Sequence, residues 1–259
     1  MRGKLTFMGT GASVGVPVIG CNCLTCLSNN PLNSRLRPSA LLEIKEKKFL
    51  IDAGPDFRQQ ALRYKIDHLD AVFLTHAHHD HTAGLDDLRA LCFLRKGPLP
   101  LVLSKATAAE VLKRFDYLFI PNPYLAAAHP KFNLHTFCNQ ENQLNFAGLE
   151  IKYVCYEQGG MKVNGFRVGN LAYVTDIKEF TDQVFPPLMQ VDTLVISALR
   201  ETSSYMHLSV EEAIAFAKRI HAKKVWLTHL SHDLEHEQIE KKLPPHVRLA
   251  YDGLTIDFG

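Results

Sequence analysis

The sequence predicts an α/β protein in which helices cover mixed sheets, and three observations carry that prediction. Apolar runs of strand length alternate with stretches of helical periodicity along the chain. No Pro/Gly/Ser-rich linker or low-complexity block divides the 259 residues, so they read as a single domain, 1–259. One strand ending also occurs twice. Val72-Phe73-Leu74-Thr75-His76-Ala77-His78-His79-Asp80 is echoed by Val225-Trp226-Leu227-Thr228-His229-Leu230-Ser231-His232-Asp233, identical or aromatic-for-aromatic at seven of nine positions.

Strands are expected over 4–8, 41–44, 49–52, 71–75, 100–103, 149–153, 166–168, 171–175, 193–197, 225–228 and 254–258, each a short apolar run. Helices are expected over 56–64, 82–95, 106–118, 209–221 and 234–243. The fourth has the clearest start. Ser209 and Glu212 form a capping box, and Ile214, Ala217 and Ile220 follow at helical spacing. The stretch 106–118 reads either as a lid or as an ordinary surface helix.

Apolar residues make up 46% and charged residues 22%, close to soluble globular averages. With Lys+Arg at 29 and Asp+Glu at 27, the balance excludes a polybasic nucleic-acid arm and an acidic tail but leaves room for a local phosphate pocket. The first twenty residues hold no apolar core of signal-peptide length, and nothing approaches a run of about 20 apolar residues. A soluble, cytoplasmic protein is therefore expected. Three of the six cysteines, Cys21, Cys23 and Cys26, crowd into six positions, while Cys92, Cys138 and Cys155 lie apart. Such crowding points to metal binding; a redox loop is the competing reading.

His76-Ala77-His78-His79-Asp80-His81 is the strongest chemical signal. Two histidines two apart can reach one ion as a strand unwinds, and Asp80 and His81 can turn toward a second. Phe49-Leu50-Ile51-Asp52 and Tyr173-Val174-Thr175-Asp176 are further strands ending in a candidate ligand or its support. Four such ends at one sheet edge would build a site on rigid elements. His68, His129, His135, His221, His236 and His246 lack ligand spacing.

These residues resemble the metallo-β-lactamase superfamily, whose signature is His-x-His-x-Asp-His. Phe7-Met8-Gly9-Thr10-Gly11 looks like its opening strand and glycine turn. The resemblance implies an αββα sandwich of two mixed sheets flanked by helices. It makes Asp52 the aspartate behind the ligand histidines, Asp176 the bridging carboxylate and His229 the last ligand. One ion would use His76, His78 and Asp176, the other Asp80, His81, Asp176 and His229. Zinc, manganese or iron would suit them.

Within that superfamily the chain is similar to the phosphoribosyl 1,2-cyclic phosphodiesterases of the carbon–phosphorus lyase pathway. That group carries a Cys-x-Cys-x-x-Cys loop, here Cys21 to Cys26, and a histidine three residues after the last catalytic ligand, here His232. The resemblance implies a structural zinc on Cys21, Cys23, Cys26 and His232. His207, in Met206-His207-Leu208-Ser209, matches a histidine placed near the leaving group, and is expected to act in catalysis alongside Asp80. Arg35, Arg37, Arg58 and Arg89 lie in family-like segments and could meet a phosphate or pair with Asp56, Asp86 and Asp87. The implied activity is metal-dependent hydrolysis of a small cyclic or nucleotide-like phosphodiester by a water that the ions activate.

One position departs from the pattern. The family's third-motif histidine falls on Gln158, in Tyr156-Glu157-Gln158-Gly159-Gly160. Gln158 could ligate weakly, Glu157 could swing in, or the first metal site could be partly empty. The expected partner is a small phosphodiester, with no membrane or nucleic acid, and a homodimer is left open. The competing functions are a tRNA 3′-end processing endonuclease and a non-catalytic metal- or nucleotide-binding member. The cysteine loop and lack of a basic insertion argue against the nuclease; Gln158 keeps the non-catalytic reading alive. A related coenzyme-biosynthesis group shares the cysteine loop but lacks an intact His-x-His-x-Asp-His.

Overall fold

The computed structural model describes residues 2–120, 130–138 and 142–259. Its strands form two seven-stranded sheets. The first contains β1 (Gly3–Gly9), β2 (Ser39–Ile44), β3 (Lys47–Ile51), β4 (Ala71–Phe73), β5 (Leu99–Ser104), β6 (Phe132–Phe137) and β14 (Thr255–Phe258), in the order β14-β1-β2-β3-β4-β5-β6. The second contains β7 (Gln143–Phe146), β8 (Leu149–Gln158), β9 (Met161–Val168), β10 (Leu171–Val174), β11 (Thr193–Ser197), β12 (Lys224–Thr228) and β13 (Val247–Leu249), in the order β13-β12-β11-β10-β9-β8-β7. Both sheets are mixed: β3 to β6 pair in parallel, as do β10 to β13, and the other neighbours are antiparallel.

Side-chain alternation explains why these strands are apolar on both faces. Leu5, Phe7, Leu42, Phe49, Ile51 and Phe73 point inward, against Tyr153, Phe166, Tyr173 and Val195 of the other sheet. Their neighbours Met8, Leu41, Leu50 and Val72 point outward under α1 (Phe57–Arg63), α3 (Arg89–Leu94) and α4 (Lys105–Arg114). In the second sheet Val174, Leu194 and Ile196 point outward under α6 (Phe185–Leu188) and α7 (Val210–Arg219), and the capping box of α7 is formed as the sequence indicates. The result is the four-layer αββα sandwich. Among the described residues no helix is long and apolar enough to cross a membrane.

The expected helix over 82–95 is broken. It becomes α2 (His79–Thr82), a 3₁₀ turn at Ala83–Leu85, and α3. Here the chain is pressed against the turn after β3: a Cβ on Gly84 would lie 2.2 Å from the Gly54 carbonyl oxygen. The expected helix over 106–118 divides at Phe115 (φ −122°, ψ 36°) into α4 and α5 (Asp116–Phe119). The one expected over 234–243 shrinks to α8 (His236–Glu240), because Glu235 caps it and Leu234 serves another contact described below.

Candidate metal centres

Four strand ends meet at one edge of the sandwich. β3 leads into Asp52, β4 into Thr75-His76, β10 into Thr175-Asp176 and β12 into Thr228-His229. Asp52 (φ 60°), Asp176 (φ 54°) and His229 (φ 58°) adopt left-handed backbone. Such conformations cost of order 1–3 kcal/mol each, and Asp and His tolerate them better than most residues. All three are buried.

Asp52 organises the first sheet's contribution. Its Oδ1 accepts the Thr75 amide at 2.8 Å, and its Oδ2 accepts the Thr75 hydroxyl at 2.8 Å and His81 Nδ1 at 2.7 Å. With its proton on Asp52, the Thr75 oxygen accepts from His76 Nδ1 at 2.9 Å. Both imidazoles are thereby held with Nδ1 protonated and Nε2 presented as a lone pair. Asp52 touches His81 and reaches His76 through Thr75, which is the supporting place expected of it.

The presented lone pairs face other acceptors. His81 Nε2 lies 2.9 Å from Asp176 Oδ2 and 3.4 Å from Asp80 Oδ2. His229 Nε2 lies 3.1 Å from Asp176 Oδ1 and 3.4 Å from Asp80 Oδ2, and His76 Nε2 lies 2.9 Å from His78 Nδ1. With its Nδ1 proton on Asp52, His81 Nε2 is a buried acceptor facing carboxylate oxygens, and such a contact requires a shared proton or a cation. Burial pushes the His81 imidazole down, but Asp80, Asp176 and Asp52 outweigh it and hold it well above its ordinary value. Burial would raise the Asp176 carboxyl, yet His229 and His81 hold it well below the carboxylate range. A divalent cation satisfies the same electrostatics, and the spacings suit one: ligands bound tetrahedrally at 2.0–2.1 Å sit about 3.3–3.4 Å apart. The donors fall into the sets His76/His81/Asp176 and Asp80/His81/His229, with His78 against His76. These sets share His81 and leave out His78, which differs from the expected division, but their imidazole and carboxylate donors fit a divalent ion.

Gln158 and His207 sit against this cluster. Gln158 is almost fully buried, and its amide nitrogen is 3.2 Å from Asp176 Oδ1 and 3.0 and 3.1 Å from the two ring nitrogens of His207. Its Oε1 has no partner among the described residues. Glu157 shares the opposite face of β8 with Cys155, whose thiol it helps to raise, and joins none of the converging groups. Strand alternation thus removes the suggestion that Glu157 swings in. His207 is half-buried beside the cluster: its Nδ1 is 3.2 Å from Asp176 Oδ1 and its ring stacks on His229 at 4.7 Å.

The cysteine loop forms a second, separate cluster. Cys21, Cys23 and Cys26 place their sulfurs 3.3, 3.5 and 3.5 Å from one atom, His232 Nδ1. One imidazole nitrogen cannot hydrogen-bond three thiols. A zinc bound tetrahedrally at about 2.3 Å from sulfur and 2.0–2.1 Å from nitrogen makes S···N edges of about 3.6 Å. The Cys26 amide draws the Cys23 thiol down to about 6, while burial and the neighbouring sulfurs push the Cys26 thiol up to about 11, so the loop holds one ready thiolate. All three are free thiols.

Arg35 neither lines the cleft nor pairs with Asp56, Asp86 or Asp87 as expected. Its buried guanidinium donates to the Ser231 carbonyl at 3.0 Å and the Leu234 carbonyl at 2.8 Å, clamping the loop between the two clusters. No local signal marks that role. Arg37 and Arg89 follow the ion-pair reading: Arg37 bonds Asp56 at 2.6 Å, and Arg89 pairs with Asp86. A cavity of about 420 Å³ opens beside His78, walled by Thr107 and Glu110 of α4 and by Gly160 and Lys162 of the β8–β9 hairpin. The stretch left open as lid or surface helix therefore borders the cleft. His129 lies outside the described residues.

A family model for the beta-lactamase superfamily domain matches residues 47–230, and the chain belongs to that superfamily. Within it, the likeness is to the PhnP family. A crystal structure of a diphosphatase of that family superposes with a TM-score of 0.91 at 36% identity, covering 100% of this chain and 98% of that one. An octanoyltransferase of Porphyromonas gingivalis is 36% identical over 256 residues, 97% of this chain but 51% of that protein. The chain thus spans about half the length of this relative. A ribonuclease Z of Bradyrhizobium diazoefficiens is 36% identical over 94 residues, 36% of this chain and 26% of that protein.

Proposed function

We propose that the chain is a metal-dependent phosphoric diester hydrolase acting on a small cyclic or nucleotide-like phosphodiester. The observation that carries this reading is the buried convergence of His76, His81, His229, Asp80 and Asp176 at the strand ends, with the His81 Nε2 lone pair turned to carboxylate oxygens. His76, His78 and Asp176 would hold one ion, and Asp80, His81, Asp176 and His229 the other, as zinc, manganese or iron. Ions held there supply a low-pKa water and stabilise charge on phosphoryl oxygens.

The chain's own residues do the rest. Asp52 and Thr75 fix the tautomers of His76 and His81, which turns each Nε2 toward the converging carboxylates. The cavity beside His78 would seat the substrate, with Lys162 and Glu110 among its lining residues. A structural zinc on Cys21, Cys23, Cys26 and His232 joins the early loop to the His229 turn. The diphosphatase and ribonuclease Z names of similar proteins support phosphoryl chemistry. The octanoyltransferase name belongs to a protein twice the length matched, and acyl transfer is not proposed here.

The test is metal analysis together with two substrates side by side, bis(p-nitrophenyl) phosphate and a ribose cyclic phosphate. Metal-dependent turnover of either, lost in Asp80→Ala, is the expected result. Turnover of a tRNA precursor but of neither small diester would favour the nuclease reading.

A further inference from the structure

We propose that His207 is a metal ligand, completing a donor set with Asp176 and His229, and that Gln158 orients this set without binding metal. The proposal deepens the metal-dependent reading above and rests on it.

Three observations converge. One ligand atom each from Asp176, His207 and His229 lies within 4.8 Å of the others, as in the two sets already described. His207 Nδ1 approaches Asp176 Oδ1 at 3.2 Å, the same oxygen that His229 Nε2 approaches at 3.1 Å. The oxygen is thus shared by two imidazole nitrogens, an arrangement that a cation between them satisfies. Second, Gln158 turns its amide nitrogen toward Asp176 Oδ1 and over the His207 ring. An amide coordinates metal through its oxygen, and the atom that Gln158 sets against Asp176 Oδ1 and the His207 ring is its nitrogen. Gln158 thus acts as a donor that holds the carboxylate. Third, His207 is fixed rather than mobile. The loop carrying it is closed at its base by Leu199 N to Leu208 O at 2.9 Å and Val210 N to Arg200 O at 3.0 Å, and the ring lies flat on His229.

The experiment measures metal content and affinity before activity. Wild type, His207→Phe, His207→Asp and Gln158→Ala are loaded with manganese or cobalt, dialysed against a chelator series, and counted by elemental analysis. The cysteine-bound zinc serves as the internal reference for a folded chain. His207→Phe keeps the ring on His229 but offers no donor. It should lose up to one catalytic ion per chain or weaken it at least about 100-fold, and change the visible cobalt spectrum. His207→Asp restores a ligating atom and should recover most of that loss. Gln158→Ala should keep the full ion count. If His207→Phe and His207→Asp both hold the wild-type ions with wild-type affinity and cobalt spectrum, the proposal is overturned, whatever their turnover. If Gln158→Ala loses the ion and His207→Phe does not, the two roles are reversed and the proposal is again overturned. Wild type that binds only the cysteine-site zinc would instead remove the underlying two-metal reading.

Discussion

The turn after β4 and the turn after β12 begin with the same residues and end in different places. Both run apolar strand, Thr, His, then two residues, then His-Asp. After β4, His76 and His78 stay at the sheet edge, and the chain winds at once into α2, whose first turn sends Asp80 inward. After β12, His229 takes the left-handed conformation and Leu230 pairs with Gly11. Arg35 then grips Ser231 and Leu234, so His232 turns to the three cysteines and Asp233 is left exposed. Similar local sequence chooses the ligand types; the neighbours of each turn choose which centre the ligands serve.

The largest contrast is between the matched aspartates. Asp80→Ala should abolish diester hydrolysis with the melting temperature nearly unchanged, because Asp80 holds an ion and not the core; Asp233→Ala should leave turnover within twofold. Near-wild-type turnover in a metal-verified Asp80→Ala protein would break the comparison at its root.

The two histidines of the turn after β12 come next. Cys23→Ala or His232→Ala should release one zinc and lower the melting temperature by about 10 °C, since a structural zinc's binding free energy is also folding free energy. His229→Ala should keep that zinc and lose a catalytic ion. A Cys21–Cys23 disulfide in freshly reduced protein would contradict the zinc reading.

Gly54→Ala acts on one turn only. Its Cβ would fall 2.0 Å from the Asp80 carbonyl oxygen, so the turn must shift, destabilising by about 1–3 kcal/mol and weakening catalytic but not cysteine-site metal. Differential scanning with metal counts reads both effects.

The smallest contrast is between the matched threonines. Thr75 bonds Asp52 and His76, whereas the buried Thr228 hydroxyl has no partner among the described residues. Thr75→Val should cost about 1–3 kcal/mol and loosen metal; Thr228→Val should be neutral or slightly stabilising. Equal effects would mean that the two turns are held alike.

The parts of this arrangement legible in sequence were those encoded locally. Strand runs such as 193–197 and the Ser209–Glu212 cap need only their own residues. The His-x-His-x-Asp-His run, Asp52, Asp176 and the cysteine spacing were readable for the same reason. Unreadable parts depend on partners far along the chain. β6 is half-exposed with poor alternation and β13 has only three residues, so neither shows a period. The break in 82–95 comes from contact with Gly54, and the Arg35 clamp reaches across about 200 positions. His207's place beside Asp176 and His229 likewise depends on how β10, β12 and the loop before α7 meet.

The measurement that tests the account most directly is metal content and diester turnover on one protein sample, before and after chelator dialysis and after adding back manganese or zinc. The account predicts that dialysis leaves one zinc per chain and no turnover. Add-back should then restore turnover together with up to two further ions. Full turnover in the dialysed chain, or add-back that binds no further ion, would contradict it.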